Sequence, residues 1–307
     1  MKLFTSLNLG VGEKEIVGLV GESGSGKSTL AYAVVGLLPA NARILSGEIL
    51  FENSSLIGLG ESEMREIRGK KVTMVFQDPT TALNPVFRIE DQMLRVIKNN
   101  LGLEGALARK QALQLLREVE LPDPEGMIES FPFELSGGMQ QRVMMAMALS
   151  SNPRLIIADE PTSAVDATIQ AQILDLIRGL RSERDFSMLL ITHSIAVAEE
   201  VCDRVAVMYA GEVVEIGPAE EVIGSPKHPY TKALVRSIPR PRRAGEGKTD
   251  LSVVGGQVPD LKNPPSGCRF HPRCPFVMDM CKKEEPPAFS VGDRRVSCFL
   301  YRKEGEA

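Results

Sequence analysis

At 307 residues, 43% of them hydrophobic and 25% charged, the chain has room for one large globular domain and a smaller one beside it. A net charge of −4 supplies no basic surface for nucleic acid, and no apolar run reaches the roughly 18 residues that a membrane-spanning helix needs. Met1–Ser6 holds neither a long apolar stretch nor a cleavage site, so a cytosolic setting is expected, with the five cysteines reduced or metal-bound.

The apolar, β-branched run Ile16–Val20 predicts a buried strand, and Leu30–Leu38 is compatible with a helix. Between them, residues 21–29 read Gly-Glu-Ser-Gly-Ser-Gly-Lys-Ser-Thr, which satisfies G-x-x-x-x-G-K-[ST] through Gly21, Gly26, Lys27 and Ser28. A loop of this kind folds tightly, so the backbone N–H groups of Gly21, Ser23, Gly24, Ser25, Gly26 and Thr29 can surround a phosphate at a helix N-terminus. Lys27 would reach the β- and γ-phosphates, and the Ser28 hydroxyl would sit on Mg²⁺. The expected ligand is a nucleoside triphosphate.

Val72–Phe76 predicts a second buried strand ending at Gln77, whose amide can ligate Mg²⁺ or water and sense the γ-phosphate. From Thr80 to Ser150 the strand signal disappears. Leu107–Val119 and Met139–Leu149 have helical spacing, which predicts a helical subdomain at about residues 80–150 inserted into an α/β core. Leu135-Ser136-Gly137-Gly138-Met139-Gln140 opens the second of these helices and forms another anion-binding helix start, with Ser136, Gly137, Gly138 and Gln140 as candidates. A simple N-cap is the alternative for Ser136. Two phosphate-type sites but one lysine loop imply a head-to-tail dimer, each nucleotide held between the loop of one subunit and Ser136–Gly138 of the other.

Leu155–Ala158 predicts a strand that delivers Asp159 and Glu160 to its carboxyl edge, where α/β sheets bind ligands. Asp159 would hold Mg²⁺, and Glu160 would orient or deprotonate the attacking water. Met188–Ile191 predicts a further strand, after which His193 could hydrogen-bond the γ-phosphate. Arg204–Tyr209 and Glu212–Ile216 read as two strands hinged at Ala210-Gly211. A solvated linker is expected from Pro239 to Lys248, dividing a domain at 1–238 from an extension at 239–307 that holds four of the five cysteines.

Together these motifs resemble the nucleotide-binding subunit of an ATP-binding cassette (ABC) transporter. Gly21–Ser28 is similar to the Walker A loop, Gln77 to the Q-loop, Leu135–Gln140 to the signature motif and Leu155–Glu160 to Walker B. Ser163-Ala164-Val165-Asp166 resembles the D-loop and His193 the switch histidine, the whole resemblance spanning about residues 6–238. It implies a P-loop NTPase core with a mostly parallel sheet, ATP hydrolysis with Mg²⁺, and Asp166 near the nucleotide. Gln77-Asp78-Pro79-Thr80-Thr81-Ala82-Leu83-Asn84-Pro85, His228-Pro229-Tyr230-Thr231-Lys232-Ala233-Leu234 and Cys268–Pro275 narrow the resemblance to the dipeptide/oligopeptide/nickel importer branch. That branch implies an ATPase on the cytoplasmic face of the membrane, docked on two transmembrane permease subunits beside a second, same or similar ATPase subunit. An extracytoplasmic binding protein would feed the complex, and the region near Gln77 and residues 80–100 would receive the permease coupling helices. Peptide is the expected cargo, nickel chelates and oligosaccharides are competitors, and a non-transport ABC ATPase is the alternative role. Members usually carry an aromatic residue upstream that stacks on adenine. Here no Tyr precedes Gly21 and Phe4 is the only aromatic before it, so the choice of ATP rests on the resemblance.

Cys268, Cys274, Cys281 and Cys298 fall within 31 residues, separated by five, six and sixteen others. Four thiolates suit either an iron–sulfur cluster or structural zinc, and these wide gaps fit the larger cluster better than paired C-x₂₋₄-C turns. A [4Fe–4S] cluster is therefore expected, with zinc, disulfides and unligated thiols as alternatives. Cys202 lies apart, on an expected core helix.

Overall fold

A computed structural model describes residues 3–5, 7–163, 165–238 and 255–302; the expected linker at 239–248 and Ala164 lie outside them. The strands in chain order are β1 Ile16–Val20, β2 Leu50–Phe51, β3 Ser54–Ser55, β4 Val72–Val75, β5 Leu155–Asp159, β6 Ser187–Thr192, β7 Arg204–Tyr209, β8 Glu212–Pro218, β9 Phe289–Val291 and β10 Arg294–Val296. The chain divides into two compact units: one comprises Met1–Val11, Ile16–Lys27 and Thr192–Ala307, the other Gly12–Glu15 and Ser28–Ile191.

In the second unit, β4, β5 and β6 run parallel, with Val75 beside Ala158 and Ala158 beside Leu190. Their near-continuous apolar sequence follows from burial on both faces: Ile156, Ile157, Leu189 and Leu190 are all under 5% exposed. The helical insertion expected from the lost strand signal is present as Ile89–Leu101, Gly105–Glu118 and Gly137–Leu149, with shorter helices between them. Ile97, Leu115, Leu116 and Val143 form its apolar interior.

The helix expected at Leu30–Leu38 instead spans Lys27–Val34. It begins at the lysine of the loop, and Gly36 at φ 65° ends it, because a left-handed residue just past the last turn closes off a helix.

In the first unit, β1 pairs in parallel with β7, and the order continues antiparallel through β8 and β10 to β9. The hinge at Ala210-Gly211 is present, both residues having positive φ. The β9–β10 hairpin was not expected. Each strand has three residues and Arg294 and Arg295 break the apolar signal, so only its pairing with β8 reveals it. Cys202 caps the end of the helix Ile195–Val201 rather than lying within it. Its sulfur sits 2.8 Å from where a Cβ on Gly18 would be. The core of this unit gathers Val20, Val207, Tyr209, Tyr230 and Phe270, the last recruited from the cysteine-bearing extension. Among the described residues, no helix is long and apolar enough to cross a membrane.

Candidate functional site: the glycine-rich loop and the acidic strand end

The turn after β1 is shaped by crowding. A Cβ on Gly21 would lie 2.1 Å from the Met208 carbonyl oxygen, so no larger residue fits there. At Gly26 the backbone adopts φ 105°, and the Phe4 ring lies 3.0 Å from where its Cβ would be. Phe4 thus packs against the phosphate-type loop itself. Ser23 and Gly24 are exposed and Ser25 is buried, its carbonyl accepting from Gly211 N–H. Lys27 is 5% exposed, and its Nζ donates to the carbonyls of Gly21 (2.8 Å) and Glu22 (3.1 Å), so the amine is held over its own loop.

Ser28 and Thr29 belong to the second unit. There the Ser28 hydroxyl donates to Asp159 Oδ1 at 3.1 Å, tying Ser28 to the end of β5 through a carboxylate that is 2% exposed. The next residue, Glu160, has φ 47° and hydrogen-bonds through its N–H to the Ile191 carbonyl. That kink leaves its carboxylate half-buried, where Gln77 Nε2 donates to Oε2 at 3.1 Å. Ser28, Gln77, Asp159 and Glu160 are therefore brought together in two hydrogen-bonded pairs on neighbouring residues. His193 follows β6 and is exposed.

The Ser136 hydroxyl accepts from Met139 N–H at 3.4 Å, and Ser136 and Gly137 are exposed at the start of their helix. Gly138 is buried against the helix Ala167–Glu183; a Cβ there would lie 2.5 Å from Ile169 Cγ2. Gln140 turns inward, donating to the carbonyls of Pro132 and Leu135 and fixing the turn that precedes Ser136. Asp166 is the N-cap of Ala167–Glu183, accepting from Thr168 and Ile169 N–H groups.

In the first unit, Cys268, Cys274, Cys281 and Cys298 line one cavity together with His228 and Phe270. Burial pushes the Cys268 thiol up to about 12 and the Cys298 thiol to about 11, and raises Cys274 as well. Burial likewise drives His228 down to about 3, so its ring is neutral, with Nδ1 accepting from Tyr230 N–H. Among the described residues, no group of three or more His, Cys, Asp or Glu side chains is disposed to hold a metal ion. The four thiols thus share one cavity without forming a metal-holding group, and the expected [4Fe–4S] cluster is not shown by this arrangement.

Sequence reasoning passed over Arg273 and Tyr230 as contributors to the loop. Arg273 makes a two-pronged ion pair with Glu22, and the Tyr230 hydroxyl accepts from Glu22 N–H. The signal for them was their position inside two of the three segments that carry the branch resemblance.

A lysine-bearing glycine loop after a buried strand, with its hydroxyl bonded to a carboxylate at the end of another, defines a P-loop nucleoside triphosphatase. The comparisons narrow the class. Residues 4–163 match the ABC transporter family, and residues 214–281 match the oligopeptide/dipeptide transporter C-terminal region. The dipeptide transport ATP-binding protein DppD of Haemophilus influenzae is 43% identical over 96% of this chain and 88% of its own. The oligopeptide transport ATP-binding protein OppD of Bacillus subtilis is 45% identical over 94% and 80%. Among solved structures, the dimeric post-hydrolysis state of the ATP-binding cassette MJ0796, bound to ADP and Pi, has a TM-score of 0.62 at 31% identity. It covers 71% of this chain and 90% of that one. This chain belongs to the ABC transporter family, as an ATP-hydrolysing subunit.

Proposed function

We propose that the chain powers peptide import, hydrolysing ATP at the cytoplasmic face of the membrane while docked on two permease subunits. The observation that carries this reading is the match of residues 214–281 to the oligopeptide/dipeptide transporter C-terminal region, behind the ATPase motifs of the same chain. DppD and OppD, named for dipeptide and oligopeptide transport, support the same cargo class. A binding protein outside the membrane would deliver the peptide. Exposed Val86 and Phe87, just beyond Gln77, offer an apolar surface suited to permease contact.

In this reading Lys27 and the N–H groups of residues 21–29 bind the phosphates, and the lysine charge offsets that on the β- and γ-phosphates. Ser28, Asp159 and Gln77 are the groups that would hold Mg²⁺, an ion that withdraws charge from phosphate oxygens when bound. Glu160 takes the proton of the attacking water, and Gln77 orients that carboxylate. His193 donates to the γ-phosphate. Ser136, Gly137 and Gly138 of a second ATPase subunit cover the nucleotide, while Gln140 and Asp166 fix the turn and the helix start around it. The dimer of MJ0796 with ADP and Pi supports this paired arrangement.

The four cysteines are proposed to hold a [4Fe–4S] cluster in a structural or redox role, within an extension that begins near residue 239. Their place on one shared cavity supports it, and the raised thiols of Cys268, Cys274 and Cys298 mean that metal entry must displace protons. Anaerobically purified protein should be brown, absorbing near ~400 nm with about four irons per chain. A colourless preparation with one zinc per chain would exclude the cluster. The cargo is tested by reconstituting the complex in liposomes and measuring ATPase stimulation. Di- and oligopeptides should stimulate; stimulation by nickel chelates alone would overturn the peptide reading.

A further inference from the structure

The cysteine-bearing extension reaches the glycine-rich loop through Glu22. Arg273 Nη1 donates to Glu22 Oε2 at 2.8 Å and Nη2 to Oε1 at 3.0 Å, and the Arg273 side chain is only 5% exposed. Its third nitrogen, Nε, donates to the Gly255 carbonyl, and the guanidinium lies over the Tyr209 ring, 5.6 Å from its centre. From the other side, the Tyr230 hydroxyl accepts the Glu22 N–H at 3.0 Å. Both the side chain and the backbone of Glu22 are thus held by residues outside the loop. The Glu22 carbonyl is also one of the two acceptors that hold the Lys27 amine.

Tyr209, Tyr230 and Phe270 pack edge to face, with ring centres 4.7 and 5.1 Å apart across the first two contacts. Phe270 lies between Cys268 and Cys274 and lines the cysteine cavity, and Cys274 directly follows Arg273. A continuous run of aromatic contacts and charged hydrogen bonds therefore connects the cavity to the loop that carries Lys27.

The charge of Glu22 makes the path consequential. A carboxylate in a phosphate-binding loop repels the phosphates unless it is neutralised, and a forked guanidinium pair is the arrangement that both neutralises it and fixes its direction. We propose that Arg273 and Tyr230 are positioning residues for the nucleotide site, which make the loop's affinity for ATP depend on the integrity of the cysteine-bearing extension. This rests on the reading of residues 21–29 as the nucleotide loop.

The test measures MgATP affinity by titration calorimetry, and KM and kcat for phosphate release, on the full-length chain. Arg273→Ala should weaken ATP binding roughly tenfold, mostly in KM, because it leaves Glu22 charged and unpaired. Glu22→Gln combined with Arg273→Ala should recover most of that affinity, since the repulsive charge is gone; a purely structural arginine would show no such rescue. If Arg273→Ala fails to fold, Tyr230→Phe, which removes one oxygen, should still weaken affinity by about threefold to fivefold. Affinities within about twofold of the parent in every variant that folds, or a double variant no better than Arg273→Ala, would overturn the proposal. Lys27→Ala keeps the two readings apart. If it abolishes ATP binding while the other variants do nothing, only the positioning role fails; if it too leaves binding intact, the nucleotide-loop reading falls and this inference with it.

Discussion

Glu160 adopts a left-handed backbone that costs a non-glycine residue about 1–2 kcal/mol, a strain its surroundings must impose. Its N–H is tied to Ile191 and its carbonyl accepts from both Ser163 N–H and Oγ, so the kink is fixed on both sides. The result is that Asp159 and Glu160, adjacent in sequence, face different surroundings: one is buried on Ser28, the other half-exposed on Gln77. Removing only the basicity of Glu160 should separate binding from turnover. Glu160→Gln is expected to lower phosphate release by about 100-fold or more while ATP affinity, read by titration calorimetry, is retained. Turnover within about tenfold of the parent would show that another group takes the proton. Gly21 offers a complementary test of the loop. A methyl at Gly21 meets the Met208 carbonyl at 2.1 Å, so Gly21→Ala must displace the loop or the end of β7. A loss of roughly 1–3 kcal/mol in urea unfolding, with loss of nucleotide binding, is expected. Unchanged stability and binding would mean the turn is far more pliable than its packing suggests.

At the scale of elements, the sequence was most readable where one physical cause dominated. Strands β1, β4, β5, β6 and β7 are continuous apolar runs because both faces are buried, so their ends were placed within about two residues. Lys27, Ser28, Asp159 and Glu160 were legible because the spacing of the loop motif and a strand-end acid pair are local patterns. What was missed depends on distant partners. The β9–β10 hairpin exists by docking on β8, and Arg294 within it sends Nη1 to the carbonyls of Glu221 and Ser225 beside the fully buried Glu215. No window of sequence contains both ends of such a contact. Arg294 and Glu215 also give the hairpin its own prediction. Among the described residues, removing the arginine leaves the carboxylate held by the Lys227 and His228 N–H groups alone. Arg294→Ala should therefore cost about 3–5 kcal/mol in urea unfolding, as expected when one partner of a buried ion pair is lost. A cost below about 1 kcal/mol would mean that the backbone donors alone satisfy Glu215.

For the whole molecule, the two glycine-rich segments differ in what they face. Lys27 is covered by its own loop, whereas Ser136 and Gly137 are exposed at a helix start whose next residue, Gly138, is locked against Ile169. An exposed helix start with no lysine of its own in the segment suits the proposed task of covering a nucleotide presented by another chain. On the proposed two-chain site, the rate per chain should rise with protein concentration and level off once dimers dominate. Glu160→Gln with MgATP should accumulate that dimer, detectable by size-exclusion chromatography with light scattering, because closure proceeds and hydrolysis does not reopen it. Adding Ser136→Arg, whose side chain would obstruct the covering surface, should return the variant to a monomer while each chain still binds ATP. A rate per chain independent of concentration, together with a Glu160→Gln variant that stays monomeric in ATP, would show that the site is complete within one subunit.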